Sequence, residues 1–105
     1  MTDSIEVSRS VEILTVGTFT VRVRSRYGLV YWLIGDKVLE LRTPAAHKTG
    51  FALVKHASEA TANELVVVKI NGEKIQFPPS NAKQVGAALL RKADDADDFQ
   101  QQRIH

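Results

Sequence analysis

Hydrophobic positions in this chain fall into short alternating or continuous runs separated by turn residues, and only later into helical spacing. The first ten residues, MTDSIEVSRS, are mostly polar and read as a loose arm. From Val11 the chain reads as strands: VEILTV, then TFTVRVRS after Gly17, then LVYWLI, then KVLELR. Arg26-Tyr27-Gly28 fits a three-residue hairpin loop with glycine last, because glycine tolerates the left-handed conformation that position needs. Gly35-Asp36 makes the next turn. Thr43-Pro44 then opens a helix, with threonine as cap and proline at the first helical position.

Sliding the sequence by 36 residues lays 29–60 over 65–96, with nine of the 32 positions identical. The identities include Leu29/Leu65, Ile34/Ile70, Gly50/Gly86 and Leu53/Leu89. The turn pairs Gly35-Asp36 and Asn71-Gly72 coincide, and Asn-Gly is a strong hairpin signal. Turn, helix start and mid-helix glycine therefore recur together, which predicts a duplicated β-β-α unit. The fold class expected is α+β, an antiparallel meander of hairpins with two helices, in one domain over residues 1–105. Residues 97–105 form a polar, acidic tail.

Two-residue turns set the register within each unit. Trp32 should face Leu39 and Val30 should face Leu41; Val68 should face Ile75 and Val66 should face Phe77. That apolar face belongs under the helix of its own unit, with Leu53 and Leu89 pointing down on it. Gly50 and Gly86 each cost roughly 1 kcal/mol inside a helix, so their matched placement suggests a close approach of two backbones. On the opposite face, the second unit carries Leu65, Val67, Lys69, Lys74 and Gln76, whereas the first carries Leu29, Tyr31, Leu33 and Val38. Under a three-residue loop at 26–28, Phe19, Val21 and Val23 extend this second apolar surface. Either the strand at 11–16 and the N-terminal arm cover it, or it is an interface with a partner or a second copy, as large apolar patches usually are.

Composition narrows the classes. The chain has 105 residues, 44% hydrophobic and 25% charged, with no cysteine, so disulfides and thiolate metal sites are excluded. No apolar run approaches the ~18 residues of a membrane span, and the first residues do not read as a secretory signal. The expected location is cytoplasmic. The net charge of +2 is uneven. Residues 1–93 hold 13 Lys and Arg against 8 Asp and Glu, giving +5, and the remainder holds four aspartates against Arg103, giving −3. A basic body permits an anionic partner.

Arg22, Arg24 and Arg26 are the best basic cluster. Arg22 and Arg24 project to one side of their strand about 6.8 Å apart, a row that could grip phosphates while Tyr27 stacks on a base. Arginines on strands also commonly lay their stems over apolar neighbours. His47 and His56 are nine residues apart, about 900° of helical rotation, and so lie on opposite faces without a shared metal or proton. No glycine-rich phosphate loop, nucleophile elbow or calcium-loop spacing is present. The expectation is a non-enzyme with no cofactor, no metal and no small-molecule substrate. Aspartates after Arg91-Lys92 oppose the dipole at a helix C-terminus, which predicts fraying there.

The run GAALLRKADDADDFQ, residues 86–100, resembles segments of small uncharacterised proteins of bacteriophages and bacterial mobile elements. That resemblance implies an accessory or host-interacting protein and assigns no residue a role. The leading expectation is thus an interaction module acting by protein contact or by self-association as a homodimer, through Phe19, Val21, Val23, Tyr31 and Leu33. The alternative is a nucleic-acid-binding protein using Arg22, Arg24, Arg26 and Tyr27.

Overall fold

Alternating strand residues and two amphipathic helices build an α+β architecture, seen in a computed structural model that describes residues 5–11 and 21–104, with side chains through Phe99. The elements are β1 (Ile5–Ser10), β2 (Val21–Arg26), β3 (Leu29–Ile34), β4 (Lys37–Leu41), α1 (Thr43–Glu59), β5 (Leu65–Ile70), β6 (Glu73–Phe77) and α2 (Pro79–Ile104). The strands divide into two antiparallel sheets, β2-β3-β4 and β1-β5-β6, in place of one continuous meander. Residues 5–10, expected to be a loose arm, form a strand because Ile5 and Val7 alternate with Glu6 and Ser8 and pair with Ile70 and Val68. The expected strand at 11–16 lies outside the described residues apart from Val11, which is exposed.

The two hairpin registers agree with the pattern of apolar positions. Trp32 faces Leu39, Val30 faces Leu41, Val68 faces Ile75 and Val66 faces Phe77. All eight are buried in one apolar cluster, together with Leu53 and Leu89 from the helices. Burying large apolar side chains stabilises a fold by roughly 1.5–3 kcal/mol each, so this cluster is the main source of cohesion.

The helices cross where the matched glycines lie. A Cβ on Gly50 would sit 2.8 Å from the Gly86 carbonyl oxygen, and one on Gly86 would sit 2.7 Å from the Gly50 carbonyl oxygen. The remaining close neighbours are reciprocal as well: Leu89 and Leu90 at Gly50, Leu53 and Val54 at Gly86. At the first turns, Ala46 N–H donates to the Arg42 carbonyl and Ala82 N–H to the Pro78 carbonyl. Lys37 of β4 and Glu73 of β6, also 36 positions apart, form an ion pair where the two sheets meet. After crossing, α1 packs chiefly on β1 and β5, and α2 chiefly on β2 and β3. Each hairpin was expected under its own helix; instead each helix leans mainly over the other sheet, which ties the two halves into one core.

α2 differs from expectation at its far end. The acidic stretch does not end the helix, because Ala93 and Ala96 are buried three residues apart and keep that face on the core. Phe99 then packs edge-on against Tyr27, with ring centroids 6.1 Å apart. With the terminus moved to Ile104, the aspartates lie at least a turn inside the helix, where the end of the macrodipole hardly reaches them.

Candidate functional site

Helices cover one face of each sheet, so the opposite faces are where a ligand can be met. Register decides which side chains stand there. The β2–β3 connection has two residues, Tyr27 and Gly28, both with positive φ (53° and 81°), as in the hairpin turns that match strand twist. Val21 therefore faces Ile34 and Val23 faces Trp32, which puts both valines on the core side, half-buried against the central cluster. Their expected place in an outer interface is wrong. A loop shorter by one residue turns every side chain of β2 to the other face. Phe19, from the same expected interface, lies outside the described residues. Tyr31 and Leu33 do stand on the outer face.

The same correction brings the arginines to them. Arg24 faces Tyr31, Arg22 faces Leu33 and Arg26 faces Leu29 across the β2–β3 ladder. On the other side of β3, Glu40 faces Tyr31 and Val38 faces Leu33. The surface is thus three parallel rows: exposed arginines on β2, half-buried Leu29, Tyr31 and Leu33 on β3, then Val38 and Glu40 on β4. Tyr31 and Leu33 of the apolar set thus share one surface with the basic set, the two having been alternatives by sequence. Val38 is 63% exposed, high for an apolar strand residue. Arg24, Arg26, Tyr27, Tyr31, Leu33 and Val38 line a shallow depression of about 560 Å³.

No ion pair engages Arg22, Arg24 or Arg26 among the described residues, although Arg9, Lys37 and Lys92 all have carboxylate partners. The Arg26 guanidinium lies over the Tyr27 ring, 4.9 Å from its centroid, a cation–π contact. Tyr27 is therefore engaged by Arg26 over its ring and by Phe99 in a T-shaped contact. Tyr31 is the ring presented among the arginines. The corresponding face of the other sheet holds a second depression, of about 530 Å³, lined in part by Glu6, Ser8, Val67, Lys69, Lys74 and Gln76. It has lysines and no ring.

A second cluster was missed from the sequence because its members are far apart in the chain. His47 on α1 meets two carboxylates of α2: its Nε2 lies 3.2 Å from an Asp97 oxygen and 3.5 Å from an Asp94 oxygen. Thr43, expected to cap α1, lies inside its first turn and gives its hydroxyl to Asp97 instead. That hydrogen bond is the largest cause holding the Asp97 carboxyl below its ordinary range; the His47 ring adds to it, and burial opposes both. Ligand atoms of His47, Asp94 and Asp97 all lie within 4.8 Å of one another, a spacing a divalent cation could span. The imidazole and carboxylates already satisfy one another, so the group serves as a clasp between the start of α1 and the far part of α2. His56, on the opposite side of α1, takes no part.

The fold and this surface define a small α+β domain with a basic sheet face that no helix or strand covers among the described residues. Comparison with protein-family models, with curated proteins and with solved structures found no match. Among the described residues no helix is long and apolar enough to cross a membrane.

Proposed function

We propose that the chain is a non-enzymatic binding module whose ligand is nucleic acid, held on the outer face of β2–β4. One observation carries this reading: among the described residues, the β2–β3 register sets three arginines without carboxylate partners beside Tyr31 and Leu33, on a face that no helix covers. Phosphates are met by Arg22, Arg24 and Arg26, and the apolar middle row meets sugars and bases. Loss of Val21 and Val23 from this face weakens the competing reading, self-association. A twofold dimer through this patch sets it against itself, three arginines facing three with one glutamate from each copy to offset them. A polyanion is the better complement.

The same reading takes the chain as two copies of a β-β-α unit joined by β1 and β2. Support comes from the 36-residue reciprocity of the helix crossing, the helix starts and the Lys37–Glu73 pair. One copy then has lysines around Val67 on its outer face, and the other carries the arginine row and the ring. Fluorescence anisotropy with labelled oligonucleotides at low salt tests the proposal. The intact protein binds, and Arg22→Ser/Arg24→Ser/Arg26→Ser loses binding while keeping its fold. No binding by the intact protein at ~50 mM salt, where electrostatic attraction is strong, contradicts it.

A further inference from the structure

Building on that nucleic-acid reading, we infer that the ligand is a single strand, with one of its bases stacked on Tyr31. The three rows are unequal in height and charge. Arginines stand on β2, Leu29, Tyr31 and Leu33 lie half-buried along β3, and Glu40 stands on β4. Neighbouring strands lie about 4.8 Å apart, so the outer rows are separated by about 10 Å with a recess between them. A duplex turns its bases inward and offers two backbones at the rims of each groove. Its major groove, about 12 Å wide, admits one helix or a two-stranded ribbon rather than the open face of a three-stranded sheet. Laid on this surface, a duplex touches the arginine row with one backbone, brings the other towards Glu40, and leaves Tyr31 idle.

A single strand uses all three rows. Its phosphates follow the β2 arginines on one side only, which is where the cations stand. Its bases, free to turn away from the backbone, lie over β3, where a ring and two leucines offer a surface that every base can stack on. The depression of about 560 Å³ around Tyr31 falls in the range of small-ligand sites and is open rather than enclosed, as a continuous chain requires. Tyr31 is the stacking group because Arg26 and Phe99 already occupy Tyr27. The other sheet, with Val67 at the position matching Tyr31, has no such platform.

Anisotropy titrations with a labelled thymidine oligodeoxynucleotide, a uridine oligonucleotide and a mixed-sequence duplex of equal length test the inference. The single strands, or at least one of the two, should bind ten-fold or more tightly than the duplex. Tyr31→Ala should weaken single-strand binding roughly ten-fold, the scale of one lost stacked base, and leave duplex binding unchanged. Tyr31→Phe keeps the ring and should bind like the unaltered protein, and circular dichroism checks that each variant is folded. Duplex binding equal to or tighter than both single strands overturns the inference and leaves the nucleic-acid reading intact. A single-strand preference indifferent to Tyr31→Ala overturns the stacking assignment. Binding to none of the three overturns the reading beneath it.

Discussion

Tyr27 adopts a φ of 53°, a backbone conformation that a bulky residue rarely takes. Its ring, held by Phe99 and Arg26, accompanies a tight two-residue turn that sequence chemistry would have given to Asn-Gly or Gly-Gly. The matched glycines are the opposite case, because their helical positions and shared spacing already imply a close backbone approach. Gly50→Ala gains helix propensity of about 1 kcal/mol, yet its Cβ would meet the Gly86 carbonyl at 2.8 Å, and a backbone oxygen has little room to move. Overpacking of this kind costs typically about 1–3 kcal/mol, so urea denaturation should show a net loss of stability for Gly50→Ala and for Gly86→Ala. Asp97 gives a prediction in pH. Its folded-state pKa is lowered by Thr43 and His47, so the stabilisation is fully present above the unfolded carboxylate value, near about 3.9. It is lost as pH falls through the folded value. Acid unfolding of Asp97→Asn should therefore be less steep below about pH 4 than that of the unaltered protein.

A single residue of loop length controls what β2 does. Counting Arg26 into the turn sends Val21 and Val23 outward; pairing it with Leu29 sends them inward and turns Arg22 and Arg24 out. Composition could not separate the two registers, because VRVRSR has one apolar and one basic face in either. The hairpins β3–β4 and β5–β6 were legible because their turns carry Gly35-Asp36 and Asn71-Gly72 and their strands have unmistakable buried faces. Substitution separates the registers directly. Val23→Lys brings a charge beside buried Trp32 and should destabilise by roughly 1–3 kcal/mol or more. Leu33→Lys lies on the face away from the core and should cost distinctly less. Equal losses in thermal melts of the two variants would contradict the register. The extension of α2 past its aspartates was legible only in part: Ala93 and Ala96 mark a continuing buried face, but the partner for Phe99 comes from a distant hairpin.

At the scale of the whole molecule, sequence spacing foresaw the hairpins β3–β4 and β5–β6, both helices and the core residues those elements share, and did not foresee β1, the register of β2 or how the halves are joined. β1 crosses to pair with β5, and each helix leans over the other half's sheet. Such exchange rests on contacts far apart in the chain, and hydrophobic periodicity carries no record of partners. The His47–Asp94–Asp97 clasp escaped for the same reason. The two outer faces differ in make-up: one sets lysines around Val67 without a ring, and the other combines arginines with Tyr31. The central claim is that Arg22, Arg24 and Arg26 hold phosphates. It is tested most directly by the salt dependence of binding to a single-stranded oligonucleotide. Three phosphates neutralised on a single strand contribute about −2.1 to the slope of log K against log[salt]. Replacing the three arginines with serine should make the slope shallower by about that amount in a protein that still folds. An unchanged slope would contradict that claim.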